Sequence, residues 1–209
     1  MSLVISSKMQ VFSIKLAYPN MATPKLNAVR INAGEWRSRV IKFPDAVGLR
    51  PTPERVRQTV FNWLGQDLTG LICLDLFAGT GVMGFEALSR GAAAATLVEK
   101  SMPAYQALKE NKQLLKAEQA QIFHQEALKF LSQNTQKFNL VFLDPPYNQQ
   151  WLPKVLPLLA EHLQADAFVY VEAEYALETD TSLAEKWDVI KQSKAGNVFY
   201  HLLKLAHDQ

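Results

Sequence analysis

The sequence predicts an α/β protein in which a mostly parallel sheet carries helices on both faces. From residue 71 onward, short apolar runs alternate with segments of helical periodicity, which is typical of successive βα units. The run 71–76 (LICLDL) is apolar without alternation, as expected for a strand that is covered on both faces. A glycine-rich turn follows this run directly, where open α/β sheets bind their ligands.

The N-terminal part of the chain predicts a basic β-hairpin ahead of the α/β domain. Two β-prone runs, 28–33 and 39–43, flank the tripeptide GEW at 34–36. The residues before them show no convincing period, and Met21 opens a segment that reads like an ordinary protein start, so we expect the native chain to begin there. We divide the chain into an extension, 1–27, a basic hairpin, 28–50, and the α/β domain, 51–209.

Local signals place the elements that follow the hairpin. Thr52 is expected to cap the first helix, and Pro53 fits the first turn of that helix. The helix after the glycine turn is expected to end at Arg90 with Gly91 as its C-cap, and Ser101 to cap the next helix. The predicted strands are 71–76, 95–99, 121–124, 138–144 and 167–173, followed by a terminal hairpin of 187–193 and 197–206.

The composition bears on location and on metal binding. Cys73 is the single cysteine, so no internal disulfide can form and a cytoplasmic location is expected. The four histidines form no spaced cluster with it, and we expect no metal site. Because no apolar run approaches the 18 or so residues of a membrane helix, we expect neither a membrane anchor nor an export signal.

The charge of the chain is unevenly distributed. The first 60 residues carry ten basic and three acidic side chains, whereas the rest of the chain carries 12 basic and 17 acidic ones. Such an asymmetry indicates a surface for a polyanion on an otherwise neutral body. From Arg30 onward most of these cations are arginines, which suit phosphate contacts and base stacking.

The glycine turn has the features of a nucleoside-cofactor site. It reads Asp75-Leu76-Phe77-Ala78-Gly79-Thr80-Gly81, and the helix after it offers free N–H groups to a ligand. Gly79 and Gly81 allow the backbone to approach that ligand closely. Asp75 can attract the ammonium of a methionine moiety beside a sulfonium, whereas NAD brings a negative pyrophosphate to this turn. The turn therefore favours S-adenosylmethionine.

Two further acids extend this predicted site. Glu99 closes the second strand, twenty residues after Gly79, where an acid accepts both ribose hydroxyls of either cofactor. Glu126, followed by Ala127, comes after the third strand and is placed to contact the adenine. As an acid in the first turn of a helix, Glu126 is equally explained by the helix dipole alone.

The most discriminating motif is Asp144-Pro145-Pro146-Tyr147, at the end of the fourth strand. Two prolines remove two N–H donors, which leaves the Asp144 carboxylate and the Pro145 carbonyl as a set of acceptors. These acceptors can hold the two N–H bonds of a planar amine and aim its lone pair at a methyl group. Tyr147 offers a face on which a flipped-out base can stack. The motif predicts methyl transfer to an exocyclic amine on a nucleic-acid base.

Other functions are compatible with parts of this pattern. The same acceptors suit the N6 amine of DNA adenine or a protein glutamine amide, although the chain has little room for a DNA target-recognition region. The glycines together with Glu99 also fit an NAD-dependent oxidoreductase, which leaves the DPPY motif unexplained. An RNA-binding protein without catalysis is a further alternative. Cys73 lies within a strand, which argues against a cysteine nucleophile for carbon methylation.

These motifs resemble those of a known family, the bacterial 16S ribosomal RNA guanine-N2 methyltransferases of the RsmD type. The resemblance covers residues 28–206. Its most specific stretch is LRPTPERVRQTVFNWL at 49–64, followed by the glycine turn, VEK at 98–100 and FLDPPY at 142–147. The basic stretch RINAGEWRSR at 30–39 also looks like the N-terminal element of that family.

The resemblance implies a Rossmann-like class I methyltransferase fold with seven mostly parallel strands, the last antiparallel, and S-adenosylmethionine as cofactor. It also implies 16S ribosomal RNA as partner, within the 30S subunit or an assembly intermediate, and we expect a monomer. By position, the cofactor would be bound by Asp75, Phe77, Gly79, Gly81, Glu99, Glu126 and Ala127. The guanine would be held by Asp144, Pro145 and Tyr147, and the RNA by Arg30, Arg37, Arg39, Arg50, Arg55 and Arg57.

Overall fold

The computed structural model describes residues 26–46, 49–179 and 186–206. The expected chain start at Met21 and nearly all of the N-terminal extension lie outside the described residues. Within the described ranges, strands and helices alternate in the order that the sequence predicts. None of the helices in these ranges is long and apolar enough to cross a bilayer.

The described residues form nine strands, five α-helices and two short 3-10 helices, Ala160–His162 and Leu177–Thr179. The strands are β1 (Leu26–Arg30), β2 (Val40–Pro44), β3 (Ile72–Asp75), β4 (Ala94–Glu99), β5 (Ala120–His124), β6 (Phe138–Leu143), β7 (Leu163–Ala173), β8 (Trp187–Ala195) and β9 (Val198–Leu205). The helices are α1 (Glu54–Trp63), α2 (Val82–Ser89), α3 (Met102–Leu115), α4 (Ala127–Gln133) and α5 (Leu152–Leu159). β7 begins earlier than predicted, because its exposed start, QAD at 164–166, carries no apolar signal.

Seven of the described strands form one sheet in the order β5-β4-β3-β6-β7-β9-β8. Neighbouring strands pair in parallel from β5 to β7, whereas β9 runs antiparallel to both β7 and β8. The predicted fold class, a mostly parallel seven-stranded sheet with an antiparallel last strand, is confirmed. The chain order reverses between β3 and β6, and in open α/β sheets such a reversal marks the ligand-binding position at the carboxyl ends of the strands.

Two buried clusters cover the two faces of this sheet. One cluster packs α1, α2 and α3 against the sheet and includes Cys73, and the other packs α4 and α5 and includes Leu74. Adjacent residues of β3 thus point to opposite faces, and both faces are apolar, which explains why the run 71–76 shows no polar alternation. Burial raises the pKa of the Cys73 thiol to about 12, in agreement with its interpretation as a core residue.

The N-terminal hairpin of β1 and β2 is anchored to the α/β domain. Ile31 and Ile41 belong to the same buried cluster as α1, α2 and α3. The amide of Asn111 in α3 bridges to β2, because its Nδ2 donates to the Lys42 carbonyl (2.7 Å) and its Oδ1 accepts from the Lys42 N–H (3.0 Å). The arginines of the hairpin are therefore carried on a strand pair that shares the core of the domain.

The loop between β1 and β2 docks on the carboxyl end of α2. The N–H of Glu35 donates to the Ser89 carbonyl (2.7 Å), and Ser89 Oγ accepts from the N–H of Trp36 (2.9 Å) and donates to the Ala33 carbonyl (2.6 Å). Gly34 has a φ of +80°, and a Cβ at this position would lie 1.7 Å from the Ser89 carbonyl oxygen. Both the backbone conformation and the close contact therefore require glycine.

The start of α1 differs from the prediction. The helix begins at Glu54, with Pro53 immediately before it and no side-chain cap. The prediction that Thr52 caps this helix is wrong, because its side chain is buried and hydrogen-bonds to the carboxyl of Glu172 in β7. Ser101 likewise precedes α3 without forming a side-chain capping bond. The segment before α1 is thus tied to the carboxyl edge of the sheet.

Candidate active site

The glycine turn joins β3 to α2 through two glycines with left-handed backbone. Gly79 has a φ of +50°, and Gly81, which directly precedes α2, has a φ of +77°. The left-handed backbone of Gly81 favours glycine, and a Cβ there would lie 2.4 Å from Cδ2 of Leu108, so that side chain would have to move. The first N–H groups of α2 therefore lie at the carboxyl end of β3, as the sequence predicts.

Asp75 closes β3 beneath this turn. Its Oδ2 accepts a hydrogen bond of 3.1 Å from the N–H of Gly84 in α2, and the residue is 5% exposed. Burial raises the pKa of Asp75 to about 7; the bond from Gly84 opposes this rise, and the charge of Glu99 adds to it. A cation that enters the site would favour the ionised form of this carboxyl.

Glu99 ends β4 and is bonded to the glycine turn. Its Oε2 accepts from the N–H of Gly79 (2.8 Å), and its Oε1 accepts from the N–H of Ser101 (2.6 Å). These two backbone donors fix the carboxylate beside the turn. Each carboxylate oxygen has a second lone pair for another donor, so the position fits the predicted contact with ribose hydroxyls.

Glu126 has one free acceptor next to the carboxyl end of β5. It is the N-cap of α4, where its Oε2 accepts from the N–H of Lys129 (3.1 Å). Its Oε1 is buried and has no hydrogen-bond partner among the described residues. A buried acceptor without a partner is unfavourable, so a ligand that donates a hydrogen bond fits this place. Ala127, the first residue of α4, is buried beside it.

The DPPY motif follows β6, the strand next to β3. Asp75 is in register with Phe142, and the N–H of Leu76 donates to the Phe142 carbonyl (3.2 Å). Asp144 comes two residues after Phe142, so the two turns leave the sheet side by side at its carboxyl edge. Burial first, and then the charges of Glu172 and Asp75, raise the pKa of Asp144. The structure therefore brings the two predicted motifs together.

A cavity of about 690 Å³ opens beside the DPPY motif. Its walls are residues 145–153, which follow β6, and residues 172–175 at the end of β7. Tyr147 lies in this wall and is 44% exposed. Phe77 of the glycine turn meets Trp151 edge to face, with 5.3 Å between the ring centroids, which connects the turn to the cavity wall. The cavity offers aromatic faces to a planar group.

Glu172 is a residue of this site that the sequence analysis missed. It lies near the end of β7, is 4% exposed, and accepts a hydrogen bond of 2.7 Å from the Tyr170 hydroxyl. Leu143 pairs with Val171, so Asp144 and Glu172 occupy the next positions along two neighbouring strands. The available signal was the single acid near the end of the apolar run FVYVEA.

Arg57 is not at the surface, and its prediction as an RNA contact is wrong. The side chain is 1% exposed, and its Nη1 forms an ion pair of 2.9 Å with Oε2 of Glu86. The same nitrogen donates to the Arg30 carbonyl (2.9 Å), while Glu86 also pairs with Arg90 (2.7 Å). Arg57 therefore joins α1, α2 and the hairpin in the interior, and a count of basic residues could not distinguish it from exposed arginines.

The other five predicted RNA-contacting arginines are exposed. Arg30, whose Nη1 donates to the Ser38 carbonyl (3.1 Å), and Arg39, whose Nη2 donates to the Leu114 carbonyl (2.7 Å), flank the docked loop. The remaining three are Arg37 in that loop, Arg50 before α1 and Arg55 on α1.

The sheet order, the antiparallel last strand and the glycine turn at the point of strand reversal define the class: an α/β methyltransferase with a Rossmann-like fold. A solved structure described as the putative methyltransferase yhhF from Escherichia coli matches with a TM-score of 0.76 and 38% identity, over 85% of this chain and 97% of that one. The putative methylase HI0767 from Haemophilus influenzae matches with a TM-score of 0.70 and 39% identity, over 85% and 98%.

Sequence comparison gives the family. The family model described as conserved hypothetical protein 95 matches residues 29–204. The chain is 42% identical over 176 residues to ribosomal RNA small subunit methyltransferase D of Escherichia coli K12, which covers 83% of this chain and 88% of that relative. The Haemophilus influenzae protein of the same name is 42% identical over 180 residues, covering 83% and 92%. The chain belongs to this family, the RsmD family of methyltransferases.

Proposed function

We propose that the protein transfers a methyl group from S-adenosylmethionine to the exocyclic N2 amine of a guanine in bacterial 16S ribosomal RNA. The proposal depends on one observation: the glycine turn after β3 and the acceptors Asp144 and Pro145 after β6 leave the sheet side by side. A methyl donor at the first and a planar amine at the second meet in one crevice. The relatives named for small-subunit ribosomal RNA support an RNA substrate.

The cofactor half of the site lies at the ends of β3, β4 and β5. Asp75 places negative charge beside the methionine ammonium, and Gly79 and Gly81 let the backbone approach the cofactor. Glu99 accepts from the ribose hydroxyls, and Glu126 offers its unpartnered Oε1 to the adenine. Bound S-adenosylmethionine supplies an electrophilic methyl group on a positively charged sulfur. Phe77 and Ala127 are the other two residues proposed to contact the cofactor.

The amine half of the site depends mainly on alignment and electrostatics. The lone pair of guanine N2 is delocalised into the ring, so the amine must be oriented and its developing charge stabilised. The Asp144 carboxylate and the Pro145 carbonyl accept its two N–H bonds, and they meet the positive charge that develops on nitrogen. The Tyr147 ring stacks on the extruded base from the cavity wall.

The basic surface formed by the five exposed arginines contacts the RNA backbone. The hairpin carries three of them, Arg30, Arg37 and Arg39, and its docked loop fixes the hairpin relative to the domain. Phosphate contacts of this kind contribute affinity that falls with salt and carry little sequence information. The substrate is 16S RNA within the 30S subunit or an assembly intermediate, and the enzyme acts as a monomer.

Labelled methyl transfer to undermethylated 30S subunits, followed by nucleoside analysis, tests this proposal. The expected product is N2-methylguanosine at one position. Asp144→Asn abolishes the transfer while calorimetric binding of S-adenosylmethionine stays within several-fold of wild type, and Asp188→Asn, an exposed change in β8, alters neither. Label found instead on DNA adenine or on a glutamine amide contradicts the substrate, and binding of NAD but not S-adenosylmethionine contradicts the cofactor.

A further inference from the structure

Three carboxyls lie near the carboxyl ends of three neighbouring strands. Asp75 ends β3, Asp144 follows β6, and Glu172 is the second-last residue of β7. The proposed function gives Asp75 to the cofactor and Asp144 to the amine, but it gives Glu172 no role. An acid that is 4% exposed is unfavourable in the ionised form, so its presence beside Asp144 calls for an explanation.

Neutral hydroxyl groups hold the carboxyl of Glu172 in place. The Tyr170 hydroxyl donates to its Oε1 (2.7 Å), and the Thr52 side chain, from the segment before α1, hydrogen-bonds to the same carboxyl. Neither partner brings a positive charge, and burial raises the pKa of Glu172 in spite of both bonds. The charge of ionised Glu172 therefore acts on its neighbours through a medium of low dielectric constant.

The charged groups that act on Asp144 are both acids. Glu172 from β7 and Asp75 from β3 raise its pKa, in addition to its own burial. Burial also raises the pKa of Tyr147 in the same loop and of Tyr170 in β7, and the charge of Asp144 adds to both shifts. Arg50, two residues before Thr52, is exposed and is not among the groups that shift the pKa of Asp144.

We propose that Glu172 is a positioning residue for the methyl transfer. Its carboxyl, beside Asp144, makes Asp144 a stronger proton acceptor for the amine that is methylated. This inference rests on the proposed function, because it takes Asp144 to be the group that holds the amine. Glu172 acts through Asp144, from the adjacent position on the next strand, with its own carboxyl fixed by Tyr170 and Thr52.

The proton balance of the reaction explains how Glu172 would assist the methyl transfer. The amine nitrogen forms a bond to the methyl carbon, and the carbon–sulfur bond breaks with its electron pair going to sulfur. The methylated nitrogen then carries positive charge; one of its N–H bonds breaks, the electron pair stays on nitrogen, and the proton goes to a carboxylate oxygen of Asp144. A negative charge on Glu172 favours protonation of Asp144 at this step, because like charges disfavour two ionised neighbours.

The pH dependence of kcat/KM tests the proposal. Wild-type activity should fall at low pH as Asp144 becomes protonated. Glu172→Gln removes the charge but keeps an acceptor oxygen for Tyr170 and Thr52, so the acid limb should move to lower pH by about one unit. The plateau should fall several-fold, because Asp144 becomes a weaker base. Glu161→Gln is the matched control, since this exposed acid just before β7 lies outside the cavity wall and is not among the groups that act on Asp144, and its acid limb should stay in place.

Carbon-13 NMR of the carboxyl groups gives a readout that does not depend on activity. The Asp144 resonance, identified by its loss in Asp144→Asn, should titrate at lower pH in Glu172→Gln than in wild type. In Glu161→Gln it should titrate at the same pH as in wild type. If Glu172→Gln changes thermal stability but moves neither the acid limb nor the resonance, Glu172 is purely structural and the proposal is overturned. If the wild type methylates no guanine amine, the proposed function fails, while the NMR comparison still decides whether Glu172 controls Asp144.

Discussion

Asp75 and Asp144 leave neighbouring strands at the same edge of the sheet, and the bond from the Leu76 N–H to the Phe142 carbonyl (3.2 Å) joins the two strand ends. Asp75 lies beneath the glycine turn, and Asp144 opens the DPPY motif. A crevice at this point of strand reversal is where α/β sheets bind their ligands. The two motifs therefore lie side by side at one edge of the sheet, as the proposed transfer from a methyl donor to a planar amine requires.

Replacement of Asp75 by Asn should change how stability depends on pH. The ordinary pKa of 3.8 is raised to about 7 by burial, so the folded protein binds this proton more tightly than the unfolded chain. Stability therefore falls as pH rises from about 4 to about 7, and the full penalty of the buried carboxylate is present above about pH 7. At pH 8, urea denaturation should give Asp75→Asn a free energy of unfolding higher than that of wild type by on the order of 2–4 kcal/mol. At pH 4 the two proteins should differ little.

The same variant should bind S-adenosylmethionine at least tenfold more weakly in calorimetry, because it lacks the charge for the methionine ammonium. Asp188→Asn, at an exposed position of β8, serves as the control and should change neither property. An equal stability difference at both pH values would contradict the raised pKa of Asp75.

The sequence was sufficient to predict the elements that form the site, because its signals are local. The apolar runs that become β3 and β6, the two left-handed glycines and the prolines after Asp144 each specify their own backbone. The spatial adjacency of β3 and β6 then follows from the usual topology of such sheets.

The roles of Glu172, Thr52 and Arg57 could not be predicted from local signals. Glu172 lies beside Asp144 only because β7 pairs with β6, and Thr52 reaches it from a distant segment instead of capping α1. Arg57 is one of several arginines in a basic stretch, and only the packing of α1 on α2 shows that it meets Glu86 in the interior. These features depend on tertiary contacts between residues that are far apart in the sequence.

Replacement of Gly34 by Ala should destabilise the docked hairpin. A Cβ there would lie 1.7 Å from the Ser89 carbonyl oxygen, in addition to the strain of a φ of +80°. We expect a loss of about 2–4 kcal/mol in urea unfolding, together with faster hydrogen exchange in β1 and β2. Gly70→Ala is the matched control, because its φ is +83° with no atom within 4 Å, and it should lose only about 1 kcal/mol. Equal losses in the two variants would show that the contact with Ser89 does not matter.

Replacement of two arginines on α1 should affect different properties, protein stability for one and RNA affinity for the other. Arg57→Met leaves Glu86 with Arg90 as its remaining cation in a buried site, so we expect a loss of about 3 kcal/mol in urea unfolding. Arg55→Met changes an exposed residue two positions away, so stability should stay within about 0.5 kcal/mol of wild type. RNA affinity of Arg55→Met should fall, and the slope of log affinity against log salt should decrease by about one. A loss of RNA affinity in Arg57→Met without any loss of stability would reverse these assignments.

The ring of Tyr147, rather than its hydroxyl, should matter for activity. Burial and the acids around it, Asp144, Glu172 and Glu174, raise the pKa of Tyr147, so the phenol stays neutral and cannot act as a base at ordinary pH. Tyr147→Phe should therefore keep kcat/KM and the pH profile close to wild type. Tyr147→Ala removes the stacking face, which contributes about 1–3 kcal/mol per base, and should lower kcat/KM roughly tenfold to a hundredfold. Equal losses in Phe and Ala variants would assign the role to the hydroxyl and remove the stacked base from the mechanism.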